Sequence, residues 1–209
     1  MYKVFVNNKI ITFSKNLNNN WFDSEDTEIH QFINKKNLTL AVNEFLQNNQ
    51  KTNLFVYSPE NLSKAFEAFS SDYKIIKASG GIVQKDDKYL LIYRNNKWDL
   101  PKGKQSKGEN IKETAIREIE EETNVNNLVI IKRLTDTYHI YASEKYQILK
   151  KCYWFHLKTN SNSNPLPQTE ENITDVKWLK INEIEHIIEN TYPSIAYLLK
   201  KFFDNFNKS

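Results

Sequence analysis

Asn110-Ile111-Lys112-Glu113-Thr114-Ala115-Ile116-Arg117-Glu118-Ile119-Glu120-Glu121-Glu122-Thr123 reads as one helix, and the rest of the chain is best read outward from it. Asn110 is an N-cap residue, and Glu113, three positions on, can return the bond as in a capping box. Asn124 follows where a left-handed C-terminal cap is wanted, a place Asn fills when Gly does not. At about 100° per residue, Ile111, Ala115 and Ile119 form one apolar stripe. Glu118 and Glu122 fall at or beside its edge, Glu121 somewhat further round, and Glu120 opposite, in solvent. Three carboxylates beside a buried face repel one another and are costly to ionise. A divalent cation resolves that conflict, since Mg²⁺ takes hard oxygen ligands. Taken alone, the helix is equally compatible with a glutamate-rich face turned to water.

Upstream lie Trp98-Asp99-Leu100-Pro101-Lys102-Gly103-Lys104 and then Gly108-Glu109. The full run is Gly103-x5-Glu109-x7-Arg117-Glu118-Ile119-x-Glu121-Glu122-x-Asn124-Val125. It resembles the box of the Nudix hydrolase superfamily, except that Asn124 stands where the family has its last glycine. Because that place needs a left-handed residue at a helix end, Asn is expected to serve there and leave catalysis intact. The likeness extends over about residues 78–206.

The resemblance implies roles residue by residue. Glu118, Glu121 and Glu122 would bind Mg²⁺, with Mn²⁺ a substitute, and the backbone carbonyl of Gly103 would lie nearby. Arg117 would hold a box carboxylate in place. Glu109 would support the loop or reach a metal through water. The family cleaves nucleoside diphosphates linked to another moiety, by attack of water on phosphorus. Metals that bridge phosphate oxygens and lower the pKa of water suit that reaction. The general base would be Glu118 or Glu121 of the box, or Glu170 or Glu171 of the later stretch Gln168-Thr169-Glu170-Glu171. An exposed acidic loop is the plain alternative for that stretch.

Lys102, Lys104 and Arg94 are candidates to hold phosphates. Trp98, Tyr138, His139, Tyr141 and Tyr153 are candidates to stack on a base, although strand aromatics are often core. The lead-in at Trp98–Lys104 resembles diadenosine polyphosphate hydrolases and oxidised-nucleotide hydrolases. Tyr141 lies sixteen residues past Val125, and no proline occurs between Pro101 and Pro165. In the family these two features go with nucleoside or dinucleoside polyphosphates more than with ADP-ribose. The competing readings are an oxidised-dNTP or ADP-ribose hydrolase, and a nucleotide-sensing module without catalysis. Sensors of that kind usually lose box carboxylates, which this chain keeps.

Around the helix, the chain reads as α+β: by resemblance, a mixed β-sheet sandwiched by helices over residues 78–209, preceded by a small α/β domain over residues 1–77. In the C-terminal part, Gly80–Val83, Tyr89–Arg94, Val129–Leu134, Thr135–Ala142, Gln147–Leu157 and Val176–Leu179 have strand character. Asn182–Glu189 and Ser194–Phe206 have helical character. In the N-terminal part, Tyr2–Val6 and Ile10–Phe13 flank an Asn7-Asn8-Lys9 hairpin signal. Residues 28–36 and 39–48 have helical spacing. Leu54–Tyr57 reads as a strand, and Ser58-Pro59 as the start of a helix that ends near Phe69. Tyr73–Lys77 returns as a strand, which implies a parallel crossover. A structural, dimerising or substrate-covering role is expected of residues 1–77, with homodimerisation one use of it.

Composition excludes several classes. The 209 residues are 39% hydrophobic and 26% charged, ordinary for a globular protein. Lys and Arg number 29 against 26 Asp and Glu, a net +3 that argues against nucleic-acid binding by bulk charge. The single cysteine, Cys152, forms no internal disulfide, so a reducing compartment is the default and Cys152 is expected in the core. The apolar patch within Met1–Val6 is too short for a secretory h-region and no stretch approaches 18 apolar residues, so neither a leader nor a membrane helix is expected. A cytoplasmic protein with a small nucleotide partner and no membrane partner is the expectation.

Overall fold

The computed structural model describes residues 1–17 and 25–206, with the side chains of the last two of these left aside. They form two compact units: residues 1–76 with 137–150, and residues 77–136 with 151–206. A single cut at residue 77 therefore differs from the observed division by one internal segment.

In the first unit, strands β1 (Tyr2–Val6) and β2 (Lys9–Ser14) form the expected antiparallel hairpin. Asn7 turns it with φ 52°, a left-handed conformation that Asn tolerates. Residues 27–31 are strand β3 (Thr27–Gln31), not a helical turn. Helix α1 (Lys35–Gln47) follows, capped by Asn34, and then strand β4 (Asn53–Tyr57). β3 and β4 pair in parallel, so the crossover in this unit runs through α1. The expected crossover through the next helix is not observed, because β4 lies between β2 and β3. That next helix, α2 (Leu62–Ser70), starts three residues later than Ser58-Pro59 suggests. Asn61 caps it, while the Ser58 hydroxyl donates to the Asn61 carbonyl. Strand β10 (Thr137–Ala142) pairs in parallel with β1, Val4 opposite Tyr138, and Tyr138, Ile140 and Leu149 enter this unit's core. That pairing draws residues 137–150 out of the contiguous C-terminal part.

The second unit holds the glutamate-rich helix capped by Asn110. Strand β5 (Lys74–Lys85) enters it and turns at Asp86-Asp87 into β6 (Lys88–Arg94). The short strands β7 (Lys97–Asp99) and β8 (Lys102–Lys104) pair with β6 and β5. Helix α3 (Ile111–Thr123) follows, then β9 (Leu128–Arg133), β11 (Gln147–Thr159) and β12 (Ile173–Lys180). Helices α4 (Ile181–Ile187) and α5 (Pro193–Phe206) close the chain. The sheet runs β12-β6-β5-β11.

Strand side chains alternate between the two faces of this sheet. Tyr89, Leu91, Cys152 and Trp154 pack with Ile184, Ile195, Leu198 and Phe202 of α4 and α5. Leu90, Ile92, Phe155 and Leu157 pack with Ala115 and Ile119 of α3. The α+β expectation, a mixed sheet between helices, is met. Among the described residues no helix is long and apolar enough to cross a membrane.

Candidate active site

The ends of α3 are built as its sequence implies. The Asn110 side chain accepts from the backbone N–H groups of Lys112 and Glu113, and the Glu113 carboxylate accepts from the Asn110 N–H at 2.9 Å. Asn124 ends the helix at φ 57° and ψ 18°, the left-handed geometry normally served by glycine. The Ser79 hydroxyl donates to the Ile111 carbonyl at 2.6 Å and so ties the first turn to β5.

Strand β8 lies along the carboxylate edge of α3 and meets three of its residues with backbone atoms. The Lys102 N–H donates to Glu122 Oε2 at 2.8 Å, and the Lys104 carbonyl accepts from Arg117 Nη2 at 3.2 Å. Between them, Gly103 faces Glu118 so closely that a Cβ there would stand 1.7 Å from Glu118 Oε2. Only glycine admits this approach. The wheel reading holds in part: Glu118 and Glu122 are buried, whereas Glu121 is exposed like Glu120.

Two arginines organise the charges. Arg117 is gripped by Glu109 at two points, Nε to Oε1 at 2.5 Å and Nη2 to Oε2 at 3.0 Å. Its remaining reach goes to Glu118 Oε1 at 2.9 Å and Glu121 Oε2 at 2.8 Å. Glu109 also accepts from the Ser106 N–H and the Thr114 hydroxyl, so it fastens the loop before the helix. Arg94, at the end of β6, reaches Glu122 Oε1 at 3.1 Å and Glu171 Oε2 at 3.2 Å.

Burial pushes the Glu122 carboxyl up to about 7, against the pull of Lys102 and Arg94, and raises Glu118 in the same direction. The hydrogen bond from Arg117 holds Glu109 down at about 2, and the same bond raises Arg117 further. Burial pulls the Lys102 ammonium down, but Asp99 and Glu122 outweigh it and leave Lys102 raised.

Other expected site residues fall as follows. Lys102 Nζ lies 2.6 Å from Asp99 Oδ2, an internal pair. Lys104 is exposed. Trp98 is half-buried, edge-on to Tyr93 at 5.1 Å, with Lys177 Nζ 5.6 Å from its ring. Tyr153, on the α3 face of β11, carries Lys151 Nζ at 4.5 Å and the Arg133 guanidinium at 5.2 Å from its ring. Tyr138, His139 and Tyr141 belong to β10 in the first unit. Glu170 is exposed in the short 3₁₀ turn Thr169–Glu171. The sequence reading missed Asp99, buried at 3%, although its spacing three before Lys102 carried the signal. It also missed the bridge that Arg94 makes.

The hard-oxygen donors Glu118, Glu121 and Glu122, beside a strand whose glycine lets a carboxylate reach its backbone, suit Mg²⁺ or Mn²⁺. Among the described residues, no three acidic, His or Cys side chains are drawn together tightly enough to hold an ion as they stand. The carboxylates are instead taken up in pairs by arginines, Glu118 and Glu121 by Arg117, and Glu122 and Glu171 by Arg94.

A family model described as the NUDIX domain matches residues 75–202. The chain belongs to the NUDIX family. An uncharacterised Nudix hydrolase of Bacillus subtilis (strain 168) is 26% identical over 109 residues, which cover 51% of this chain and 66% of that protein. Two solved structures share the fold with TM-scores of 0.51: a C. elegans Ap4A hydrolase in a binary complex and a MutT protein from Methanosarcina mazei Go1. The first is 22% identical and covers 64% of this chain and 99% of its own; the second is 18% identical and covers 66% and 99%. At those identities the likeness concerns the NUDIX fold alone.

Proposed function

We propose that this NUDIX protein is a Mg²⁺-dependent pyrophosphohydrolase that cleaves a phosphoanhydride bond in a nucleoside diphosphate-linked substrate, a nucleoside or dinucleoside polyphosphate. The observation that carries the reading is the backbone of β8 laid against Glu118 and Glu122, with Gly103 in contact with the Glu118 carboxylate. Glu118, Glu121, Glu122 and the Gly103 carbonyl would hold the cation, which when bound neutralises phosphate charge and acidifies water. Arg117, clamped by Glu109, holds Glu118 and Glu121 on one side of the helix. The proton from the attacking water would go to whichever of Glu121 and Glu171 the cation leaves free, since their side chains, 48% and 42% exposed, meet solvent. Exposed Lys104 is the better placed lysine for a phosphate, since Lys102 is engaged by Asp99. Trp98 and Tyr153 offer ring faces in the same unit for a base.

A phosphate-release panel in MgCl₂ tests the reading. It contains dinucleoside polyphosphates, normal and oxidised dNTPs, ADP-ribose, NADH, and capped or triphosphorylated RNA. Dinucleoside or nucleoside polyphosphates are expected to be turned over fastest. ADP-ribose as the preferred substrate would correct the substrate class, and no turnover of any member would refute the hydrolase reading.

A further inference from the structure

Arg94 and Arg117 both serve acidic groups of this site, but they are held very differently. Arg117 meets Glu109 through two nitrogens and two oxygens, a fork-to-fork contact that fixes the guanidinium plane. Arg94 uses one nitrogen, Nη1, for single contacts to Glu122 and to Glu171. Its side chain is 25% exposed, while that of Glu122 is fully buried. A carboxylate at such depth carries a heavy desolvation cost unless a positive charge or hydrogen-bond donors face it. The Lys102 N–H answers one of its oxygens and Arg94 the other.

The second partner of Arg94 comes from a different part of the chain. Glu171 ends the short turn before β12, and Asn172, at φ 60°, leads directly into Ile173, the register partner of Arg94. The stretch before that turn is fastened to the end of α3: Leu166 N–H donates to the Thr123 carbonyl at 2.9 Å, and Gln168 N–H to the Glu122 carbonyl at 3.3 Å. Backbone bonds thus bring a loop carboxylate and a helix carboxylate to the same place. Arg94 is the charge between them.

We propose that Arg94 is an exchangeable counter-ion, which holds Glu122 and Glu171 together until a divalent cation displaces its guanidinium and takes the two carboxylates. This rests on the reading that the cation is held at Glu122. A guanidinium making single contacts is a diffuse, monovalent substitute for a compact divalent ion with hard-oxygen preference. Arg117 stays in place, because Glu109 retains it. Arg94 is in this sense a positioning residue: it keeps the fourth carboxylate, Glu171, beside the helix before the ion arrives.

The test is thermal unfolding of the full chain, free of nucleotide, in EDTA and in MgCl₂, with a calorimetric MgCl₂ titration beside it. In EDTA, Arg94→Gln leaves Glu122 buried without its guanidinium and is expected to unfold about 5–10 °C below the wild type. In MgCl₂ that gap is expected to close to about 2 °C or less, because the ion supplies the missing charge. The titration is expected to give the variant a roughly fivefold tighter Mg²⁺ affinity, since no ion pair has to break first. Arg94→Lys keeps a charge and is expected to stay near the wild type in EDTA. An equal gap in EDTA and MgCl₂, a wild-type affinity in the variant, or a variant that fails to fold even when prepared in MgCl₂ overturns the exchange. A wild type that shows no Mg²⁺ response instead refutes the metal reading itself, and an inactive substrate panel with these shifts intact refutes only the hydrolase reading.

Discussion

Gly103→Ala separates the chemistry of this site from its stability. The added Cβ would lie 1.7 Å from Glu118 Oε2, 2.0 Å from its Cδ and 2.4 Å from its Oε1. Ordinary contact begins near 3.5 Å, so the carboxylate must withdraw by roughly 1.5–2 Å. It is the far end of a flexible side chain, so it can swing away and leave β8 paired with β5. Doing so breaks its 2.9 Å contact with Arg117 and removes it from the Gly103 backbone. Overpacking of this kind costs about 1–3 kcal/mol, which in a chain of this size lowers Tm by roughly 3–10 °C. A displacement of more than about 1 Å in a positioning group costs on the order of 10²-fold in rate. The expected result is a folded protein with kcat/KM down about 10²-fold on a dinucleoside polyphosphate in MgCl₂, measured beside its melting curve. Gly80→Ala is the contrast, since its Cβ meets backbone, the Pro101 carbonyl at 2.1 Å, and stability rather than rate should suffer first. A folded Gly103→Ala protein with wild-type kcat/KM would refute the assignment of Glu118 beside Gly103 as the catalytic arrangement.

Glu122→Gln keeps an acceptor for the Lys102 N–H and removes a carboxyl whose ionisation burial disfavours, so the fold is expected to survive with little loss of stability while turnover falls at least about 10²-fold; wild-type turnover would exclude Glu122 from holding the ion. Asn124→Gly suits φ 57° and is expected to be neutral or up to about 1 kcal/mol stabilising, whereas Asn124→Ala costs about 1 kcal/mol. Equal urea midpoints for those two variants would contradict the left-handed cap. Burial, with Lys132 and Lys158 nearby, holds His156 down at about 4, below its ordinary 6.5. The unfolded chain therefore binds the extra proton between those values, so this group's contribution is present above pH 6.5 and lost as pH falls towards 4, by up to about 3 kcal/mol. Glu122, raised to about 7, works with the opposite sign, stabilising at low pH and losing that contribution as pH rises through about 7. The measurement is accordingly the difference between wild type and His156→Gln in urea unfolding at pH 4.5 and 7.5, and a difference independent of pH would refute the prediction.

What was legible in the sequence is what lies close along the chain. The capping box of α3, its left-handed Asn124, its apolar stripe and the Arg117 contact to Glu121 follow from spacings of four residues or fewer. The same kind of spacing misled at residues 28–36, where Ile29, Phe32 and Ile33 fit a helix, but parallel pairing with β4 makes 27–31 a strand. Tertiary pairing overrode a local pattern there, as it commonly does for short segments. Ser58-Pro59 has the chemistry of a helix start, yet the Ser58 hydroxyl is spent on the Asn61 carbonyl and the cap passes to the Asn61 side chain. Nothing near residue 137 announces that β10 pairs with β1, because the partner lies more than a hundred residues earlier.

The charges follow the same division, and this bears on the chemistry. Helical periodicity ranks Glu118, Glu121 and Glu122 by their distance from the buried stripe, but it cannot say which cation faces each. The cation facing Glu122 comes from β6, and the further carboxylates that share the two arginines come from the loop before α3 and the turn before β12. They make the difference between an acidic face and a site. Glu121 is held by an arginine one turn away on its own helix and remains in water, while Glu122 depends wholly on β6 and β8 for its charge and its hydrogen bond. Loss of the Glu121 carboxylate should therefore be mild for the fold and screened by salt. Loss of Arg94 leaves the fully buried Glu122 without the guanidinium that faces it, and through that pair the proposed divalent ion and the fold are coupled.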